Sequence, residues 1–157
     1  TGVTLTAPST STGLISATIA SDLNGDGKDD LLVRRDNTVH VRSGAALASG
    51  LITAIADQYL VGAFGSFAGL GDFNGDGKGD FVVLDTVSDI AHIIAGETFG
   101  GDVVNLTLVG SYAPMRFAPG TPLDGYSIVA LGNLNGDKNA ASTDSLNDFA
   151  LTSVNGS

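Results

Sequence analysis

DLNGDGKDD, residues 22–30, returns as DFNGDGKGD, residues 72–80, and the reading of this phrase decides the reading of the whole chain. The side chains of Asp22, Asn24 and Asp26 alternate along a tight turn, so their three oxygens can converge on one point. Gly25 and Gly27 supply the backbone freedom that such a turn demands. The peptide carbonyl of Lys28 can add a fourth donor and the carboxylate of Asp30 a fifth. Five oxygens with neither nitrogen nor sulfur suit a hard cation, and Ca²⁺ above all. The second phrase offers Asp72, Asn74, Asp76, the Lys78 carbonyl and Asp80 at the same spacing. An ordinary hairpin turn needs only one or two residues of this kind, which leaves the remaining donors of both phrases unexplained.

The spacing invites comparison with an EF-hand, whose loop also uses alternate positions but ends on a bidentate Glu at position 12. Position 12 is Val33 in one copy and Val83 in the other, so the EF-hand is rejected. The runs that follow the loops, LLVRR and FVVLD, are β-type and not amphipathic helices. Each loop is therefore expected to join two strands. Lys28, Lys78 and Lys138 all sit in or beside such loops and read as solvated side chains that relieve carboxylate repulsion.

Aligning on the loops exposes a larger repeat. LISATIASDLNGDG from Leu14, FGSFAGLGDFNGDG from Phe64 and GYSIVALGNLNGDK from Gly125 share a small and apolar strand that runs directly into the loop. In the third copy Asn133 replaces the first Asp and the loop continues through NAASTDSLN before Asp148. Asn133, Asn135, Asp137 and Asp148 remain as donors there, with one charge fewer and a longer loop. Further strands are expected at DQYLVG (57–62), TVHVRS (38–43), DIAHIIAG (89–96) and DVVNLTLVG (102–110), about four per repeat. That count is the count of a propeller blade. The expected organisation is an N-terminal strand or linker over 1–13, repeats over 14–63 and 64–124, and a partial repeat over 125–157.

Four-stranded units that carry D-x-N-G-D-G-x-x-D between their first two strands resemble the FG-GAP and VCBS repeats, the type found in integrin α-subunit propellers and in many secreted bacterial proteins. Phe64-Gly65 matches the dipeptide that gives the family its name, although no Gly-Ala-Pro follows. The resemblance implies all-β, four-stranded antiparallel propeller-type blades with calcium-binding loops between their first and second strands. It also implies Ca²⁺ as ligand of Asp22, Asn24, Asp26, Asp30 and their counterparts. Propellers close with about 4 to 8 blades; one leading strand (VTLTA, 3–7), two blades and half of a third would form an incomplete, open propeller.

Composition limits the partners. Of 17 acidic residues only Glu97 is Glu, Gly reaches 22, and the net charge is -10 with no basic cluster, so nucleic acid and anionic membrane surfaces are not expected partners. There is no cysteine for a disulfide or a thiolate, and no apolar run of the ~20 residues that a membrane span requires. The stretch TGVTLTAPSTSTG lacks the charged and apolar regions of a signal peptide, as expected of a processed product or an excised segment. Asn105-Leu106-Thr107 and Asn155-Gly156-Ser157 are glycosylation sequons. His40 and His92 read as structural, and no catalytic set accompanies them.

The expected function is non-enzymatic: an extracellular or cell-surface calcium-binding β-repeat with a structural or adhesive role, self-associating into an oligomer or a surface fibre by intermolecular strand or blade completion. Two alternatives belong to other classes. One is a fragment of a larger propeller that binds protein or carbohydrate, and the other is an accessory domain of a secreted hydrolase.

Overall fold

The computed structural model describes residues 4–6, 15–46, 50–51, 58–62, 64–96, 103–105, 113–116, 125–134 and 148–153. Three successive antiparallel hairpins organise them. Strand β2 (Ile15–Ala20) runs into the first Asp-rich loop and returns as β3 (Asp30–Arg35), with Ala20 opposite Asp30. Strands β7 (Phe64–Gly71) and β8 (Asp80–Asp85) repeat this arrangement around the second loop, and β12 (Tyr126–Gly132) and β13 (Asp148–Ser153) around the third. The expectation that each loop joins two strands holds for all three.

Each of the first two hairpins is extended at its return strand. Chain reversal at Asp36-Asn37 leads β3 into β4 (Thr38–Arg42), with Asp36 in the left-handed region at φ 52°, which Asp tolerates better than most residues. Strand β6 (Gln58–Val61) then pairs antiparallel with β4. In the second sheet β9 (Ile90–Ile94) pairs with β8, and the turn between them is closed by Asp85, whose carboxylate accepts from the amide of Val87 at 2.9 Å and from Ser88 Oγ at 2.6 Å.

Two strands depart from the expected four-per-repeat pattern. Strand β10 (Val103–Asn105), read as part of the second repeat, joins β6 in parallel and makes the first sheet five-stranded. The edge of the second sheet is instead β11 (Ala113–Arg116), antiparallel to β9, which completes four strands. APMR carries no β signature, and its Pro114 has no N–H to give a ladder, a deficit that an edge strand tolerates. Of the leading strand expected over 3–7, β1 (Leu5–Thr6) pairs in parallel with β5 (Gly50–Leu51) as a separate ribbon. Asn105 ends β10, and Asn155 lies outside the described residues. Among the described residues the fold is all-β, with no closed barrel and no helix long and apolar enough to cross a membrane.

The sheets pack face to face, and strand periodicity explains how. Side chains alternate along β8, so Phe81 and Val83 join Ala20, Leu23, Leu32, Val39, Val41 and Leu60 in one core, between the first and second sheets. The alternate residues Val82 and Leu84 join Ala68, Leu70, Ala91, Ile93 and Ile128 in another, between the second sheet and the third hairpin. Burial on both faces is why FVVL reads as an unbroken apolar run. Arg34 strengthens the first junction: its Nη1 donates to the Phe64 carbonyl at 2.7 Å and to that of Gly65, at the start of β7. Across the second junction the amide of Ile128 donates to Ser66 Oγ at 3.1 Å.

Two consequences are measurable. Phe81→Ala removes the more deeply buried of the two core phenylalanines at the first junction and should cost about 3–5 kcal/mol in urea unfolding. His40 is buried on β4, and burial followed by the neighbouring charges of Arg35 and Arg42 pushes its imidazole from 6.5 down to about 4. The unfolded chain then takes up a proton that the folded chain refuses, so His40 contributes stability above pH 6.5 that is lost as pH falls toward 4. The loss should show as a slope of Tm against pH that His40→Gln flattens.

Candidate metal centre

The two loops adopt the same turn and share four hydrogen bonds, to which the second adds one from the Gly75 amide to Asp72 Oδ1 at 2.6 Å. In the first, Asp22 Oδ1 accepts the amide of Asp26 at 2.9 Å and Asp22 Oδ2 that of Gly27 at 2.6 Å. Asn24 Oδ1 accepts the same Asp26 amide at 2.9 Å, and Asp26 Oδ1 accepts the amide of Lys28 at 3.0 Å. In the second, Asp72 Oδ1 and Oδ2 accept from Asp76 and Gly77 at 3.0 and 2.9 Å, Asn74 Oδ1 from Asp76 at 2.8 Å, and Asp76 Oδ1 from Lys78 at 2.9 Å. Two L-residue-averse positions make the turn possible, Gly25 and Gly27 at φ 77° and 84°, matched by Gly75 and Gly77 at 79° and 86°. The first three predicted donors of each loop are thus brought together, with oxygens of positions one and three aimed at a single N–H.

The closing aspartates hold each loop to its sheet. Asp30 is 1% exposed; its Oδ2 accepts the amide of Leu23 at 2.8 Å and its Oδ1 that of Gly44 at 2.8 Å. Asp80, equally buried, accepts from Phe73 at 2.7 Å, Asn74 at 3.0 Å and Gly96 at 2.9 Å. Each carboxylate therefore ties the entrance of its loop to the exit of the third strand of its sheet. In the third hairpin Asp148 Oδ2 accepts from Leu134 at 2.9 Å, the same bond at the same position, while Asn133 stands at the loop entrance and Asn135 and Asp137 lie outside the described residues. Burial raises both the Asp30 and the Asp80 carboxyls above the usual range against the lowering effect of these amides, and the acidic neighbours Asp22 and Asp26, or Asp76, push in the same direction as burial.

These geometries test whether a cation fits. Among the described residues no three carboxylate or imidazole groups are set to hold a metal by themselves. What each loop offers is two carboxylates and one amide oxygen on an exposed turn, with backbone carbonyls to add. The donor set is all oxygen, the side chains already point inward, and the crowded negative charge is what a hard divalent cation neutralises. The residues present fit Ca²⁺.

Sequence reasoning missed three contributors. Gly44 and Gly96 follow the third strand of their sheets, and each gives its amide to the closing aspartate. A Cβ on Gly44 would land on the carbonyl oxygen of Asp29, and one on Gly96 on the carbonyls of Gly79 and Leu23. The small-residue-then-glycine ending shared by RSG and IAG is the signal that was there to read. Ser43 is the third: its Oγ bridges Asn24 Nδ2 at 3.2 Å and Asp26 Oδ2 at 3.1 Å, a brace for which Ala95 has no counterpart. The loops also touch each other. The amide of Gly79 donates to the Asp22 carbonyl at 2.6 Å, and the stem of Lys78 passes over Gly25.

Comparison with known proteins agrees with the resemblance read from the loops. Residues 22–83 match the family model described as an FG-GAP-like repeat, a span that opens on the first loop, contains the second and ends within β8. No curated protein matches the chain.

The locking glycine can be probed directly. Gly96→Ala forces a methyl group into two backbone carbonyls and should destabilise the fold by more than the about 1–3 kcal/mol of ordinary overpacking, whereas Ala95→Ser at the neighbouring position should be nearly neutral. Paired denaturation curves measure both.

Proposed function

We propose that this chain is a calcium-stabilised, non-enzymatic β-repeat of the propeller-blade type, acting outside the cell or on its surface in a structural or adhesive role. The observation that carries the reading is the duplicated turn: two loops with the same oxygen donors, the same positive-φ glycines and four shared hydrogen bonds, each seated between the first two strands of a sheet. The match of residues 22–83 to the FG-GAP-like repeat supports the blade reading.

Asp22, Asn24 and Asp26 would hold one ion and Asp72, Asn74 and Asp76 a second, with the Lys28 and Lys78 carbonyls as further donors. Asp30 and Asp80 would contribute from behind, since an ionised carboxylate has about four lone-pair sites and only two or three are engaged by amides here. Asn133, Asn135, Asp137 and Asp148 form the weaker third set. When bound, the ion supplies charge neutralisation and a cross-link within the turn. The protein's own part is to hold the turn closed through the Asp30 and Asp80 amide locks, so that the donors stay gathered. Because the first loop contacts the second through Gly79 and Lys78, filling one site steadies the other. Calcium modules of the extracellular type work near ~10⁻⁴ to 10⁻³ M, which is where the location outside the cell comes from. Assembly through exposed strand edges or blade faces fits a structural role, and carbohydrate or protein ligands fit an adhesive one.

Thermal unfolding in millimolar calcium against excess chelator tests the proposal. A ligand at 100 times its Kd stabilises by about 2.7 kcal/mol, and for a chain of this size each kcal/mol moves Tm by roughly 2–4 °C, so a rise of several degrees per occupied site is expected. Asp26→Asn together with Asp76→Asn should remove most of that rise while leaving the chelated Tm nearly unchanged. A Tm indifferent to calcium, with no heat of binding by calorimetry, sinks the reading.

A further inference from the structure

The two acidic turns are alike, but what stands behind them differs. The residue before the locking glycine is Ser43 in the first sheet and Ala95 in the second, and in both sheets that glycine's amide reaches the closing aspartate. Ser43 is 8% exposed, and its hydroxyl is used as donor and as acceptor. The proton goes to Asp26 Oδ2 at 3.1 Å, and the oxygen accepts from Asn24 Nδ2 at 3.2 Å and from the Ala45 amide at 3.3 Å.

Asparagine is the member of each donor set whose chemistry does not fix its orientation. A carboxylate presents oxygen whichever way it turns, whereas a side-chain amide has oxygen at one end and two N–H donors at the other, and only the oxygen can face a cation. In the first loop Asn24 Nδ2 donates to Ser43 as well as to Asp26 Oδ2 at 3.1 Å, which leaves Oδ1 on the turn, accepting the Asp26 amide at 2.9 Å. In the second loop Asn74 Nδ2 donates to Asp76 Oδ2 at 3.1 Å, an oxygen of the donor set itself, and no hydroxyl holds it from the sheet. Asn24 is half-buried and Asn74 exposed. The carboxylate at position one also differs. Asp72 accepts amides from Gly75, Asp76 and Gly77, whereas Asp22 accepts those of Asp26 and Gly27, so more of the oxygen lone pairs of Asp22 remain for an ion.

We propose that Ser43 is a positioning residue for the first cation site and makes that site the tighter of the two, so that calcium fills the first loop before the second. The inference rests on the calcium reading of the loops and adds an order to it. Ser43 acts through Asn24 and Asp26: it holds the amide in its oxygen-inward orientation before the ion arrives, so less ordering is left to binding than in the second loop. Outer partners that orient a metal ligand are worth roughly 10- to 100-fold in affinity, and a neutral hydroxyl behind an exposed turn belongs at the low end of that range.

Calorimetric calcium titration of the 157-residue chain and of two single-site forms tests the order. Asp76→Asn reports the first loop and Asp26→Asn the second, and the first loop should show the lower Kd. Ser43→Ala should raise the Kd of the first loop roughly tenfold and leave that of the second unchanged, a split that general loosening of the fold would not give. Ala95→Ser puts the hydroxyl behind the second loop without removing a buried group and should bring the second Kd toward the first; if Ser43→Ala fails to fold in chelator, this gain decides. A further readout needs no metal: in chelator the side-chain amide protons of Asn24 should exchange with solvent more slowly than those of Asn74 by NMR, and Ser43→Ala should abolish the difference. Equal affinities at the two loops, or affinities that neither substitution moves, overturn the inference and leave the calcium reading standing. Absence of calcium binding in every form overturns both.

Discussion

Everything in this structure hangs on a buried carboxylate that accepts backbone amides from two directions. Asp30 joins the amide of Leu23, at the loop entrance, to that of Gly44, beyond the third strand. Asp80 makes the same tie through Phe73, Asn74 and Gly96. A charge taken out of water is costly unless it is fully hydrogen-bonded, and the bonds that satisfy it are the ones that fix where the loop begins and where the sheet stops. The loop is thereby anchored to its sheet at both ends, and the residues between those ends are left to gather oxygens on the exposed side.

From this anchor the geometry of the rest follows in steps. Holding position two of the loop against the sheet places Leu23 in the core between the first and second sheets and Phe73 in the next one. Removing every atom beyond the backbone at Gly44 and Gly96 lets the end of the third strand reach the carboxylate at all. The loops then stack, Gly79 on Asp22, so the acidic turns are neighbours along one edge of the molecule. Negative charge concentrated on that edge is expensive for a chain with a net charge of -10, and on the proposed reading calcium eases it.

The repeat has also diverged at its contact points in ways that carry physical meaning. Arg34 reaches the carbonyls that open β7, while its counterpart Leu84 is simply apolar and joins the second core. Ser43 braces the first acidic turn and Ala95 leaves the second without that brace. Small residues at the first junction, Ala20 against Gly69, give way to larger ones further along the chain. Packing is tight and hydrogen-bonded at the first junction and broader and mainly apolar at the second, although the first two loops are built alike.

What the sequence determined by itself was the local chemistry. The turn at 22–30 and its copy at 72–80, the strands on either side of them, the all-β class and the gathering of Asp22, Asn24 and Asp26 were legible, because spacing along the chain fixes which side chains a nine-residue turn can bring together. The amide-tying role of Asp30 and Asp80 was not legible: it depends on Gly44 and Gly96, which lie 14 and 16 residues away in sequence and meet the carboxylates only in the folded sheet. Sheet membership was likewise a tertiary decision. Val103–Asn105 could extend either sheet by pattern, and APMR could extend none, yet the first adds to β6 and the second to β9. An edge strand is chosen by which backbone groups stand open beside it, and nothing in the strand's own residues records that.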